Sequence, residues 1–279
     1  MKKGIINSEN ICYINHNGVE YIQFKNLKKY DNAITHCFTT RKGGVSSGEC
    51  ESLNLGFSRK DSRDNVMENF KRVAKAISVD CRNMVFANQV HDNKIKEVGE
   101  GDRGKGITEE SDIIGYDGLV TNQREVALVT FYADCVPVFF YDPEKNVIAV
   151  SHSGWRGTVK KISAQTVNKM QNAYGCRAEN IEAAIGPSIG RCCFEVGEEV
   201  YREFVDKMGW SDKFCKKTGT SKWHIDLQEI IKKTLTECGV REENICMCNI
   251  CTRCNRDVFF SHRGDHGKTG SMAAIIQLR

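Results

Sequence analysis

Three residues in this chain are placed to do chemistry together. A cysteine stands in Ala133-Asp134-Cys135-Val136-Pro137, a histidine in Ser151-His152-Ser153-Gly154-Trp155-Arg156-Gly157, and a second histidine in Asn88-Gln89-Val90-His91. Thiolate and imidazole share zinc readily, and the same two groups form the nucleophile–base pair of covalent hydrolysis. Apolar runs at 127–131, continuing into 138–141, and at 147–150 flank Asp142-Pro143-Glu144-Lys145-Asn146, a segment of turn-forming residues. A hairpin centred between Pro143 and Glu144 sets Cys135 opposite His152, with Cβ atoms roughly 5 Å apart. Pro137, a residue that strands carry at edges, starts or bulges, leaves a one-residue slip open. With His91 the pair makes three ligands, and three ligands plus an open position is the arrangement of a catalytic zinc, which binds and acidifies water. The plain alternative is a buried cysteine beside two ordinary histidines. The polar Gln89, Asp134 and Ser153 around them favour the metal.

Other segments carry weaker signals. Gly154-Trp155-Arg156-Gly157-Thr158 enters a helical pattern, and free amides at a helix start plus an arginine make an anion site. Gly186-Pro187-Ser188-Ile189-Gly190-Arg191 has the same character. For both, a tight turn that needs glycine is the competing explanation. Arg41, in Thr40-Arg41-Lys42-Gly43-Gly44, can clamp phosphate or carboxylate, or simply be solvated. Asn54 follows in Ser52-Leu53-Asn54-Leu55-Gly56. Cys246, Cys248, Cys251 and Cys254 crowd four thiols into nine residues, but a zinc ribbon needs two separated knuckles, so reduced thiols are the default there.

The elements that must position these residues read as a mixture. Strands are expected at 11–14 and 21–24 around the Asn17-Gly18 turn, at 84–87, 181–185 and 272–278, and at Phe259-Phe260. Helical periodicity covers 64–77, 157–173, 196–208 and 226–238. Residues 39–56 read as a polar, glycine-rich loop, and 99–111 as a second one, mobile and suited to a lid. Irregular alternation with at least two hairpins points to an α/β (mixed α+β) fold, one domain over 1–279 with mixed β-sheets flanked by helices. With 40 basic and 36 acidic residues, a net charge of +4 is too balanced to argue for nucleic acid or an anionic membrane. No apolar stretch approaches the roughly eighteen residues of a membrane helix. The basic start Met1-Lys2-Lys3-Gly4-Ile5-Ile6-Asn7 leads into Ser8-Glu9-Asn10 rather than an apolar signal core. The 14 cysteines are therefore expected as reduced thiols in a cytoplasm.

A longer series of motifs runs in order along the chain. Besides those above it includes Thr39-Thr40-Arg41-Lys42-Gly43-Gly44-Val45-Ser46, Asp117-Gly118-Leu119-Val120-Thr121, Ile185-Gly186-Pro187-Ser188-Ile189, Cys251-Thr252 and Phe259-Phe260-Ser261-His262-Arg263. In this combination, from about residue 35 to 278, the chain resembles the YfiH/YlmD family, once labelled polyphenol oxidoreductases or laccase-domain proteins. The resemblance implies a YfiH-like fold and one metal, usually zinc with copper as the alternative, on His91, Cys135 and His152. It implies phosphorolysis of adenosine, inosine, guanosine and methylthioadenosine to base and ribose 1-phosphate, and deamination of adenosine to inosine. Purine nucleosides and phosphate are then the partners, with no nucleic acid and no membrane, and the protein acts as monomer or homodimer. Family members often carry Thr-Gly-Arg before the last strand. Here the segment is Thr269-Gly270-Ser271, so the expectation is either an altered phosphate affinity or replacement of that arginine by Arg263 or Lys268.

For phosphorolysis, phosphate attacks C1′ of the ribose as the purine leaves. Arg41, Arg156, Arg263 and the amides of 154–158 are the expected anion clamp, with Asn54, Gln89 and Asp134 also at the substrate. Asp134 and His262 are the candidate proton donors to the leaving base. Deamination requires attack of activated water at C6 of adenine. Three other functions compete. A copper polyphenol oxidase calls for many histidines, often as His-x-His, and this chain has seven histidines and no such pair. A cysteine hydrolase would use Cys135 as nucleophile and His152 as base. A nucleic-acid module on the 246–254 cysteines lacks an interleaved aromatic and basic stripe.

Overall fold

The computed structural model describes residues 9–279; the reading of Met1–Asn7 lies outside them. Two six-stranded sheets dominate. The first runs β1 (Ile11–His16), β2 (Val19–Phe24), β3 (Ile34–Thr39), β15 (Met272–Leu278), β7 (Ala127–Tyr132) and β4 (Met84–Phe86). The second runs β14 (Ile245–Met247), β10 (Glu182–Ile185), β8 (Val136–Asp142), β9 (Val147–Ser153), β6 (Gly118–Thr121) and β5 (Ile95–Glu97). Both are mixed, with one parallel edge pair in the first (β4 on β7) and parallel pairs at both edges of the second (β10–β14 and β5–β6). A small third sheet holds β11 (Glu195–Gly197), β13 (Lys222–Ile225) and β12 (Cys215–Gly219).

Alternation along the strands decides the layering. In β15, Met272, Ala274, Ile276 and Leu278 pack between the two large sheets, while Ala273 and Ile275 face the other way. In β8 and β9, Phe139, Tyr141, Ile148 and Val150 fill the same inter-sheet layer, and Val136, Val138, Phe140, Val147 and Ala149 face outward. Each outward face is covered by helices. α2 (Arg63–Ile77) lays Val66, Phe70 and Val73 on the first sheet. α4 (Ile162–Tyr174) and α6 (Leu227–Glu237) cover the second with Val167, Met170, Ile230 and Leu235. The result is four layers, helix–sheet–sheet–helix. Central strands are buried on both faces, which is why they read as continuous apolar runs rather than as alternating ones.

Most expected elements are present, and five expectations are corrected. The helix over 157–173 is two helices, α3 (Trp155–Val159) and α4, broken where Lys161 takes a left-handed conformation (φ 56°). The helix expected from 196 starts at 198, as α5 (Glu198–Lys207), because Val196 pairs with Trp223 in the third sheet. Phe259-Phe260 is a buried loop, not a strand. The loop over 99–111 is pinned to β4, with Phe86 N–H bonding Lys105 O (2.9 Å) and Gly104 N–H bonding Met84 O (2.9 Å). The β8–β9 hairpin is centred between Glu144 and Lys145, so His152 faces Pro137 and Cys135 lies just before the strand. The slip follows from Asp142, which stays in β8 and accepts the N–H groups of Glu144 and Lys145 (2.9 and 3.0 Å), pushing the turn one residue along.

One buried polar group tests the inter-sheet layer. His36 of β3 is fully buried, and its Nε2 accepts the Phe24 N–H across the β2–β3 pair (2.9 Å). Burial lowers its pKa to about 3, so the ring is neutral in the folded protein. A histidine held below its unfolded value contributes stability above pH 6.5 and loses it as the pH falls through that value toward 3. Urea unfolding is expected to show stability dropping over that window, with His36→Gln removing this component of the slope.

Candidate metal centre

The three chemical residues emerge from strand ends of both large sheets. His91 follows β4 and Cys135 follows β7, in the first sheet, while His152 lies at the end of β9, in the second. The register puts His152 on the same face as Ile148 and Val150, so its ring enters the inter-sheet layer where that layer opens. The ligand atoms of His91, Cys135 and His152 all lie within 4.8 Å of one another. The two imidazoles meet edge to face, centroids 4.8 Å apart.

A fourth residue sets this geometry. Asp117, wholly buried at the start of β6, accepts the backbone N–H groups of Val90, His91 and Asp92 (3.0, 2.9 and 2.8 Å). Its Oδ1 also bonds His152 Nδ1 (2.8 Å), and its own carbonyl accepts the His152 N–H (2.7 Å). Burial alone would raise the Asp117 carboxyl. The His152 bond and the N–H groups of Asp92 and Val90 hold it below the ordinary carboxylate range instead. His91 sits at φ 61°, a left-handed turn that the three N–H bonds to one carboxylate stabilise. With Nδ1 taken by Asp117, His152 Nε2 is the nitrogen turned to the other ligands, the carboxylate–histidine arrangement of metal sites. The expectation singled out the Asp117-Gly118 motif but gave Asp117 no role.

The donor set fits a metal. Burial would raise the Cys135 thiol, but His152 and then His91 bring it down to about 6. Burial would lower His152, but the Cys135 sulfur and Asp117 raise it to about 9. Without metal the pair is therefore a thiolate beside an imidazolium, and a cation entering near neutral pH displaces the imidazolium proton. Gly154 stands where only glycine fits. A Cβ there would meet His91 Cδ2 at 2.9 Å and Cys135 Sγ at 3.2 Å.

The ligands form part of the wall of a cavity of about 710 Å³. Gln89, Asp134, His262 and Arg263 also line it. Gln89 exchanges two hydrogen bonds with the Phe131 backbone (2.7 and 3.1 Å), extending the pairing where β4 ends. Asp134 (φ 90°) accepts Thr252 Oγ1 (2.6 Å) and the Arg263 N–H (2.7 Å), and its carbonyl accepts the Ile189 N–H (2.8 Å). The Arg263 guanidinium bonds Glu195 O (2.8 Å).

The other expected anion-binding residues lie elsewhere. Arg41 bonds the carbonyls of Glu51 and Arg256 and lines a separate cavity of about 220 Å³. Arg156 is exposed, stacked over Trp155, and α3 is a single short turn. Asn54 is buried under the wall, holding the N–H groups of Gly56 and Ser271 (3.0 and 2.9 Å). In the 186–191 loop the amides of Gly186, Ser188 and Ile189 are spent on the Pro137, Ile250 and Asp134 carbonyls. Arg59 is the cavity cation that the sequence did not disclose. Its Nε donates to Ser271 Oγ (2.8 Å), so it reaches the position of the serine that departs from the family pattern. Burial lowers its pKa, against the Cys50 and Cys135 sulfurs, yet a guanidinium stays charged. Its signal, an arginine in a polar loop, is shared with too many solvated arginines to stand out.

A family model described as multi-copper polyphenol oxidoreductase laccase matches residues 35–279. The chain belongs to that family. It is 37% identical over 243 residues to the purine nucleoside phosphorylase YlmD of Bacillus subtilis, covering 87% of each chain. The crystal structure of the hypothetical protein YfiH of Bacillus licheniformis is similar at a TM-score of 0.88 and 32% identity, over 98% of both chains. That of YlmD from Geobacillus stearothermophilus matches at 0.88 and 32%, over 96% of this chain and 98% of that one. The YfiH/YlmD resemblance and the mixed α+β fold are both borne out. No helix among the described residues is long and apolar enough to cross a membrane.

Two substitutions check the centre. Asp117→Asn removes the acceptor that orients His152 and is expected to weaken zinc binding by about 10–100-fold. Gly154→Ala, which pushes His91 and Cys135 apart, is expected to weaken it by at least about tenfold. Competition with a chromophoric chelator reads both losses, and unchanged far-ultraviolet circular dichroism separates them from unfolding.

Proposed function

We propose that this protein is a metal-dependent purine nucleoside phosphorylase whose reaction takes place in the 710 Å³ cavity, within one catalytic domain. The observation that carries the reading is the union of a three-ligand metal set with apolar walls and two arginines, the half-buried Arg59 and the exposed Arg263, in one cavity, the volume of which suits a nucleoside. The names of relatives such as YlmD point to the same substrates. His91, Cys135 and His152 hold the metal, which we assign as zinc. Opening onto a roomy cavity suits a site that receives substrate rather than a closed copper centre that only passes electrons. When bound, the ion supplies a Lewis acid that polarises a substrate atom.

The protein's own groups account for the rest. Phe86, Phe131, Trp155 and Phe194 form walls on which a purine stacks. Arg59 and Arg263 bind phosphate, and an anion repays the burial of the Arg59 guanidinium. A phosphate oxygen forms a bond to C1′ as the C1′–N9 bond breaks, and its electron pair goes to the purine, which takes up a proton. Both Asp134 carboxylate oxygens are occupied by Thr252 and Arg263, so we assign His262 as the proton donor. Adenosine, inosine, guanosine and methylthioadenosine are the substrates of this reading. Adenosine deamination belongs to the same cavity: water forms a bond to C6 of the purine, the C6–N6 bond breaks, and ammonia leaves to give inosine. The setting is a reducing cytoplasm, the protein a monomer or homodimer.

Chromatography of adenosine incubated with the zinc-loaded protein tests this. Adenine is expected only when phosphate is present, and inosine with or without it. Arg59→Gln is expected to raise KM for phosphate by about tenfold or more and that for adenosine little. Adenosine left unchanged under both conditions overturns the assignment.

A further inference from the structure

Among the described residues a second ligating cluster lies outside the cavity. The sulfurs of Cys192, Cys193, Cys251 and Cys254 all lie within 4.8 Å of one another. The sequence had grouped Cys251 and Cys254 with Cys246 and Cys248, but Cys246 and Cys248 are buried in the inter-sheet core, and Cys246 donates to Asn10 O (3.1 Å). Their place is taken by Cys192 and Cys193, some sixty residues upstream. These two occupy the turn after β10, closed by bonds from the Cys193 and Phe194 N–H groups to Gly190 O (2.9 Å each). Cys251 and Cys254 bracket Thr252-Arg253 in C-x-x-C spacing. A Ser188–Cys251 bridge brings the two segments together. Gly190 makes room, since a Cβ there would stand 3.1 Å from Cys251 Cβ and 3.4 Å from Cys192 Sγ.

The spacing identifies the ligand. Cys254 Sγ is 3.6 Å from Cys192 Sγ and 3.5 Å from Cys193 Sγ. A disulfide would bring sulfurs to about 2.05 Å, and all 14 cysteines are free thiols. Four sulfurs at about 2.3 Å from one tetrahedral ion stand about 3.8 Å apart. An iron–sulfur cluster, with its inorganic core between the ligands, spreads them wider. The Cys251 sulfur also accepts the N–H groups of Gly190 and Cys254, as a metal-bound thiolate does. Arg191 and Arg253 are next in sequence to Cys192 and Cys254 and carry the charge opposite to that of a tetrathiolate.

We propose that Cys192, Cys193, Cys251 and Cys254 form a closed, four-thiolate site for one zinc ion, independent of the cavity centre. Four protein ligands leave no open position, so the role is structural. The ion staples the segment carrying Ile189 and Phe194 to the segment carrying Thr252. Ile189 and Phe194 line the cavity, and Thr252 holds Asp134. The site therefore ties together one wall of the cavity. Cys192 and Cys254 are exposed, so chelators and oxidants reach the ion from one side.

The test is zinc content per chain in protein purified under reducing conditions with zinc. About two equivalents are expected in the wild type, about one in Cys135→Ala and about one in Cys192→Ser/Cys254→Ser. Cobalt substitution gives a second readout. The Cys135→Ala protein is expected to keep the intense sulfur-to-cobalt absorption of a tetrathiolate, and Cys192→Ser/Cys254→Ser to lose it. Alkylation of the wild type needs no variant: zinc is expected to slow modification of the Cys192, Cys193, Cys251 and Cys254 peptides more than tenfold. Zinc content unchanged by Cys192→Ser/Cys254→Ser, or these peptides alkylated at the same rate with and without zinc, overturns the proposal. So does a zinc-free Cys135→Ala protein, an outcome that leaves the cavity centre standing.

Discussion

A single buried carboxylate fixes the arrangement on which the rest of the site depends. Asp117 is wholly removed from water, and its two oxygens accept three consecutive backbone N–H groups and the His152 ring. An unpaired carboxylate at that depth would cost several kcal/mol. Four hydrogen bonds make its charge tolerable, and each also constrains something. The N–H bonds close the 90–92 turn and hold His91 in a left-handed conformation that few residues adopt unaided. The ring bond chooses which nitrogen His152 presents. One charge thereby orients two ligands that come from different sheets, and its field favours a cation between them.

The four-layer architecture explains why the site lies where it does. Where strands are buried on both faces, an unpaired polar group is expensive, so chemistry is confined to their ends. There the two sheets diverge from their shared core, and β4, β7 and β9 release His91, Cys135 and His152 toward one point. The backbone groups exposed by this divergence are not left to water. Gln89 completes the pairing beside Phe131, and Asp134 gathers Ile189, Thr252 and Arg263. Residues that look catalytic by type are thus partly masonry, which is how a cavity of this size keeps its walls.

Elements with a local signature were legible in the sequence. α2 runs within one residue of its expected start because Ser62 caps it and its apolar period is unbroken, and α6 begins at its Asp226 cap. The convergence of His91, Cys135 and His152 was legible because thiolate and imidazole in strand-end motifs restrict the chemistry. What failed depended on single backbone choices or on distant contacts. Nothing local marks Lys161 as left-handed, Asp142 as the end of a strand rather than part of a turn, or Val196 as the partner of Trp223. The cavity arginine was the hardest to place, since Arg41 and Arg156 have richer motifs than Arg59 but spend their charge on carbonyls or an aromatic face.

Sulfur is used in contrasting ways in this chain, and burial with its neighbours decides which. Cys37 and Cys248 are buried among apolar side chains that push their thiols up, so they behave as small hydrophobes. Cys135 is the opposite case, brought down by two imidazoles to a thiolate poised beside an open cavity. The Cys192–Cys254 group is a third, in which four sulfurs lie within 4.8 Å of one another and backbone N–H groups face the Cys251 sulfur. Repulsion among four thiolates makes a cation the natural partner of that arrangement. Asp134 is the mechanical link between the second and third cases. It adjoins Cys135 in sequence and is bonded to Thr252, which lies between Cys251 and Cys254. A change of state at the four-cysteine cluster therefore has a path of one hydrogen bond and two peptide bonds, Cys251–Thr252 and Asp134–Cys135, to the residue whose sulfur lies in the cavity.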